Sequence, residues 1–364
     1  MSRGVKFWVL VSPLVVFFSA NLAPFQLGRL FLPCVEHFEH GGIGGTVGLV
    51  QPQTHFPVNL SDFQSIHIFQ CEKGVHKTDV AVNVGNINCS SIDDLMKKTY
   101  NLKDISVDNQ PMGSKFLDIE SLKPGTNYYG KEEIFTNKPA EYSFYSTSNI
   151  EVYRTASRID FEKISLKWSE ADGGDLLQEG ARFRLKQVYV VDAKSTTYLA
   201  DHKSGENNYS VEITSDPAYL HGNPEKDGYL ASLNLFPREG DNTSATISSD
   251  GEWDITDNPL RCYITENTDE AQPTMLVLKG DILHKDTDTP ILSDRYYFVK
   301  LLNLIDSDNK ETIYPGVIRN KVIRISATIT GKGSGDEEYK ENAYVTVTVT
   351  PENWSVETQH EDVN

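Results

Sequence analysis

From Tyr344 to Val349 the chain alternates strictly: Val345, Val347 and Val349 fall at every second position, with Tyr344, Thr346 and Thr348 between them. A pleated strand sends successive side chains to opposite faces, so this repeat gives a strand one apolar face. The same period recurs along the chain. Ile66 and Ile68 show it, as do Val80, Val82 and Val84, then Ile150 and Val152, then Ile323, Ile325, Ala327 and Ile329. Turn signals lie between the runs at Pro124-Gly125, Asp172-Gly173-Gly174, Asp250-Gly251, Pro315-Gly316 and Gly331–Gly335. Many short strands with such turns predict an all-β chain built of sandwiches rather than strand–helix–strand units.

One short helix is expected, over Ser91–Tyr100. Ser91 is a good N-cap with Asp94 three residues on, and Asp93 and Asp94 lie near the positive end of the helix dipole. Lys97 and Lys98 lie near its negative end, and Ile92, Leu95 and Met96 share one face.

The 364 residues suffice for two domains of ordinary size, each with its own core. Apolar residues make up 38% and charged residues 24%, which is a globular composition. The formal net charge of -18 repels nucleic acid and anionic membrane surfaces. No basic stripe with interleaved aromatics is present, so no nucleic-acid partner is expected. Cys34, Cys71, Cys89 and Cys262 show no CxxC spacing, and a zinc site needs clustered ligands. Cys71 and Cys89 could pair if their strands are neighbours; otherwise the cysteines serve as small buried hydrophobes.

Residues 1–34 read as a leader. Arg3 and Lys6 precede the apolar run Phe7–Phe18, broken only by Ser12 and Pro13. The uncharged stretch continues to Gly28, long enough to span a bilayer, so an uncleaved anchor is the alternative to a signal peptide. Cys34 is the one candidate for lipidation, and it follows Leu32-Pro33, with proline where a lipobox has a small residue. Gly41–Gly48 (GGIGGTVG) reads as a flexible linker after the leader.

Four regions carry a family resemblance. Val80–Leu102 has a strand with the step Asn83-Val84-Gly85, followed by the capped helix. Gln110–Gly113 reads QPMG, and Ile150–Ile159 reads IEVYRTASRI with Arg154, Ala156 and Arg158 at matching places. The C-terminal region supplies Tyr263–Gly280, Val317–Gly331 and Ala343–Val356. In this order they resemble the fimbrillins, the lipoprotein pilus subunits of Bacteroidota. The chain departs from the pattern at Val322-Ile323, where fimbrillins have an aromatic.

The resemblance implies two transthyretin-like β-sandwich domains in tandem, at 46–153 and 154–364, with the short helix in the first. It implies an exported, non-enzymatic structural subunit of a fimbria (pilus). Such a subunit is tethered to the outer membrane through a lipid anchor and joined to other fimbrial subunits by donor-strand exchange. A host or bacterial surface receptor would be a further partner. In the family an N-terminal strand is removed by proteolysis, often after arginine, and a neighbour's terminal strand fills the groove. Here Arg29 is the last arginine before Arg154, so Lys73 and Lys77, expected in a polar turn, are the other processing candidates. Without such cleavage the chain would be an anchor or terminal subunit.

The candidate exchanged strand comprises Ala343, Tyr344, Val345, Val347 and Val349, with Trp354 as the large anchor after it. The plain alternative is that this is the last strand of its own sandwich. Tyr128 and Tyr129 suit an interface or the packing of their own sandwich. The alternatives in other classes are a non-polymerising adhesin or carbohydrate-binding module, and a secreted hydrolase. No catalytic constellation speaks for the last, and no cofactor is expected. His37 and His40 lack the HExxH pattern, and Asp306, Asp308 and Asn309 lack the glycine and glutamate of a calcium loop. Asn59, Asn88, Asn208, Asn242 and Asn353 begin N-x-Ser/Thr triplets, which are mute in a bacterial protein.

Overall fold

The computed structural model describes residues 97–107, 110–113, 153–200, 215–237, 244–306, 310–339, 345–352 and 354 in full. It also describes the strand backbone at 5–10, 16–21, 53–58, 65–70, 76–82, 114, 117–119, 126–128, 143–144, 152 and 353. The chain divides into two compact units, Met1–Lys98 with Met112–Val152, and Thr99–Pro111 with Tyr153–Asn364.

One sheet of the first unit runs in the order Val5–Leu10, Gln53–Val58, Thr126–Tyr128, Ser143–Phe144. The other places Val16–Asn21 beside Ser65–Gln70, which pairs with His76–Val82. The alternating Ile66 and Ile68, and Val80 and Val82, thus fall in strands as their period requires. Lys77, expected in a turn, instead lies inside His76–Val82, opposite Asp118. Strand pairing of the β-branched and apolar run Val80–Val82 draws its preceding residues into the ladder.

The second unit is two packed sheets. In the first, Ala156–Leu166 lies centrally. Leu260–Thr265 and Glu252–Asp254 pair antiparallel with it, and Lys321–Ile329 runs parallel along its other side. Val345–Asn353 closes this sheet, antiparallel to Lys321–Ile329, with an unbroken register from Lys321↔Asn353 to Ile329↔Val345. The second sheet is built on Arg182–Val191. Asn234–Phe236 and Ala245–Ile247 pair on one side, then Met275–Leu283 and Pro290–Lys300 follow on the other. Every second residue of each inner face enters one core: Ile159 and Phe161, Ile323 and Ile325, Phe183 and Leu185, Leu276 and Leu278, Tyr297 and Val299. The Tyr297 hydroxyl, buried in that core, is satisfied by donating to the Gly331 carbonyl at 2.9 Å.

The segment 99–111 belongs to this second unit. Thr99–Asn101 pairs with Thr196–Tyr198, and Leu102 and Ile105 are buried in the core. The helix expected over Ser91–Tyr100 therefore ends in strand at Thr99 and Tyr100; residues 91–96 lie outside the described ones.

Among the described residues the α-helix is Glu170–Glu179, across the expected turn Asp172-Gly173-Gly174. Ser169 caps it, its hydroxyl accepting the Asp172 N–H at 3.0 Å. Gly180, at φ +66°, ends it in the left-handed region, with its N–H directed to the Leu176 and Leu177 carbonyls. Leu176 is buried, and the Trp168 indole beside the cap donates to the Ala181 carbonyl at 2.8 Å. Gly173 departs from helical geometry (φ -150°, ψ 28°), so the glycine bends the helix without ending it. No described helix is long and apolar enough to cross a membrane.

Candidate functional site: the closing strand and its clamp

The closing strand carries its alternation into the structure. Val345, Val347 and Val349 pack on the core while Thr346 and Thr348 are exposed. Arg324 on the neighbouring strand fixes it from the outer face, donating to Glu352 at 2.8 Å and to Glu162 at 2.5 Å. These hydrogen bonds raise the basicity of an already permanent cation.

Past the strand, Trp354 is buried, at 4% exposure. Its backbone N–H donates to the Asn320 carbonyl at 3.1 Å. Its ring stacks on Tyr263 (centroids 5.8 Å apart, planes 5° apart). The guanidinium of Arg154 lies 4.2 Å from the ring centroid and that of Arg158 5.1 Å. Such cation–aromatic contacts strengthen when water is excluded.

The cations around the ring are themselves held. Arg154 donates from Nε to Gln110 Oε1 at 2.6 Å, and the Gln110 amide donates to the Tyr263 hydroxyl at 3.1 Å. The Arg154 backbone N–H donates to Asn320 Oδ1 at 3.3 Å. Arg158 meets Asp160 through both Nε and Nη2 at 2.9 Å, and both side chains are buried. Arg158 and Tyr263 are direct cross-strand partners, so the sheet register itself puts the two faces of the slot in place. The indole Nε1 is buried without a hydrogen-bond partner among the described residues.

Five of the motif segments singled out in the sequence thus meet at one place: QPMG through Gln110, IEVYRTASRI through Arg154 and Arg158, and Tyr263–Gly280 through Tyr263. Val317–Gly331 contributes Asn320, and Ala343–Val356 contributes Trp354. A second contact joins two of them, where Arg319 meets the buried Glu266 at 2.6 Å. Sequence reasoning named Trp354 as an anchor but missed Gln110 and Tyr263 as its supports. Their sequence separation of 153 residues leaves no local signal.

Of the other expected site residues, Ala343, Tyr344, Cys34, Arg29 and Lys73 lie outside the described ones. Cys262 is buried in the core. Asp306 is engaged by Lys321 at 3.4 Å and by the Tyr314 hydroxyl.

No family model matches the chain, and no curated protein matches its sequence. Solved structures do match in fold. Two are proteins of Parabacteroides distasonis assigned to cell adhesion. The first is 18% identical at TM-score 0.57, over 80% of this chain and 86% of that one. The second is 19% identical at TM-score 0.55, over 82% of each. A third is the fimbrilin FimA of Porphyromonas gingivalis, 18% identical at TM-score 0.52, over 85% of this chain and 89% of that one. The chain therefore resembles the fimbrillins not only in its motifs but in fold, shared across most of its length with fimbrilin and with these cell adhesion proteins.

Proposed function

We propose that the chain is a non-catalytic structural subunit of a cell-surface fimbria, exported as a lipoprotein and assembled by donor-strand exchange, with a contribution to adhesion. The observation that carries the reading is the likeness in fold to fimbrilin over most of both chains. On this reading 46–153 and 154–364 are tandem transthyretin-like domains, and Cys34 takes the lipid. With Cys34 lipidated, Arg29 leaves with the leader, and the later cleavage falls after Lys73 or Lys77. Other fimbrial subunits are its partners, and a surface receptor is a further one.

Two features support exchange. Val5–Leu10 and Val16–Asn21 pair with Gln53–Val58 and Ser65–Gln70, so removing the chain's first residues takes a partner from each of those strands. Unpaired strand edges and apolar slots are satisfied by a neighbour's alternating strand. The closing strand has that alternation.

A second reading, a surface adhesin that does not polymerise, is favoured by the depth at which Trp354 is held. The two part on one experiment. The purified full chain is treated with a lysine-specific or arginine-specific protease and examined for SDS-resistant ladders. Pilus assembly requires ladders that disappear when residues 345–364 are deleted. A nicked chain that stays monomeric at high concentration supports the adhesin instead.

A further inference from the structure

The edges of the two sheets in the second unit are unequally defended. Natural sheets blunt their edges with short strands, charges, prolines, bulges or covering loops, because an open edge pairs with other chains. Glu252–Asp254, Asn234–Phe236 and Ala245–Ile247 are three residues long each. Leu260–Thr265 carries Arg261 and is overlaid by Ala193–Lys194 and Ala231–Leu233.

Pro290–Lys300 begins with proline, has register shifts against its neighbour, and turns through Asp294 at φ 49°. Its outer edge is also capped. Tyr296 and Ser334 exchange backbone hydrogen bonds of 2.9 and 2.8 Å, and Arg295 donates to the Lys332 and Gly333 carbonyls at 2.7 and 2.6 Å.

Over Val345–Thr350 the closing strand shows none of these devices among the described residues. Its register against Lys321–Ile329 is unbroken, and no other described strand pairs with it. Val345 to Thr350 contains no charge, glycine or proline; Pro351 and Glu352 come only at its end. The valines on its core face stay only partly buried because the apolar row reaches the margin of the sheet.

Exposed apolar surface continues at one end. The hairpin of Leu304–Ile305 and Ile313–Tyr314 lies beside this strand without pairing to it. Lys321, opposite Asn353, is bound to Asp306, which places the hairpin at the Asn353 end. Its cross-strand pair Ile305 and Ile313 is 52% and 60% exposed.

We infer that the outer edge of Val345–Thr350 pairs antiparallel with the same edge of a second copy of this chain, forming a two-fold symmetric dimer. The sequence of the edge is self-complementary. With Val347 on the axis, Val345 lies across Val349 and Thr346 across Thr348, so valine meets valine on the core face and threonine meets threonine on the other. Both are favourable cross-strand pairs. A chain of formal charge -18 repels its copy over most of its surface, and this uncharged strip is where close approach is cheapest. An isologous contact of this kind closes at two copies and does not propagate. It does not rest on donor-strand exchange and competes with it for the same strand.

The test uses the intact, unprocessed chain. Sedimentation over a concentration series is expected to show a reversible monomer–dimer equilibrium. Replacing Thr346 and Thr348 together by lysine should weaken it at least tenfold, and replacing both by glutamate should do the same. These side chains are exposed, so both variants keep the wild-type circular dichroism. Mixing the two variants should restore the dimer, because each threonine pair then becomes an opposite-charge pair. A wild-type chain that is monomeric at every concentration overturns the inference. So does a dimer indifferent to the lysines, or a monomer whose edge amides resist hydrogen exchange, which would mean that the chain's own tail covers the strand.

Discussion

Removing the indole of Trp354 tests how firmly the closing strand is tied down. The ring is 4% exposed, stacked on Tyr263 and capped by Arg154 and Arg158. Truncating a buried tryptophan to alanine typically costs about 3–5 kcal/mol. Each buried cation–aromatic contact is worth about 0.5–2 kcal/mol, and both are lost here. Against this, the site lies at the end of the sheet, where neighbours can close part of the cavity. Trp354→Ala is therefore expected to destabilise the second unit by roughly 4 kcal/mol, within the range for such truncations.

Trp354→Phe separates shape from polarity. It keeps a ring beneath the guanidinium groups and deletes the buried Nε1–H, which has no partner among the described residues. Relieving an unsatisfied buried donor returns about 1–3 kcal/mol, which offsets much of the lost area. Phenylalanine should thus cost about 1 kcal/mol, near the low end for core substitutions. Urea unfolding followed by circular dichroism measures both, with the alanine variant losing its second-unit transition first. If alanine and wild type unfold within about 1 kcal/mol of each other, the ordinary scatter of surface substitutions, Trp354 is not an anchor and the clamp argument fails.

Three further outcomes follow from the same geometry. A Cβ on Gly280 would sit 2.4 Å from both the Arg184 carbonyl oxygen and Phe183 Cζ, so Gly280→Ala should cost about 3 kcal/mol in urea midpoint terms, the upper end for overpacking. Glu266→Gln leaves the partly buried Arg319 cation without its carboxylate and should cost about 3 kcal/mol by the same assay, the low end for breaking a buried pair. Acid should loosen the loop Gly331–Tyr339. Burial holds His221 below its ordinary 6.5; burial opposes the charged form of Glu337, but hydrogen bonds from Tyr189 and Asn223 and the charge of Lys226 keep its carboxyl below its ordinary 4.5. Both depressed groups contribute stability that is full above pH 6.5 and is lost as pH falls through their folded values, so the urea midpoint should fall from pH 6.5 downward, more steeply below 4.5. Glu337→Gln should flatten the lower part of that profile.

The strands of greatest regularity were legible in the sequence because one face of each is buried. Ile323, Ile325, Ala327 and Ile329 alternate with less buried neighbours, and the valines of the closing strand do the same. Ala156–Leu166 was legible only in part, since Arg158 and Asp160 on its outer face are buried as well, Arg158 against Trp354 and Asp160 against Arg158 and Arg261. The helix Glu170–Glu179 was hidden by Asp172-Gly173-Gly174, a turn signal that Ser169, Gly180 and the burial of Leu176 override. Gly331–Gly335 read as a plain turn, yet its following residues reach the other sheet. Glu337 there accepts the Tyr189 hydroxyl at 2.6 Å, and Tyr339 packs edge-on against Phe298. The Tyr189–Glu337 pair is 148 residues apart in the chain and leaves no local pattern. The clamp was half legible: an aromatic after a strand is visible, but the slot that receives it is assembled by register.

The most direct test of the pilus reading is mass spectrometry of the mature chain recovered from its native cell surface, reading its N-terminus and any lipid. The account predicts SDS-resistant ladders of a chain that has lost its leader, with lipid on Cys34 in the membrane-held form or a lipid-free start within the first domain in the assembled one. An unpolymerised, lipid-free chain that begins between Ala20 and Pro24 would contradict strand exchange and make this an ordinary secreted protein.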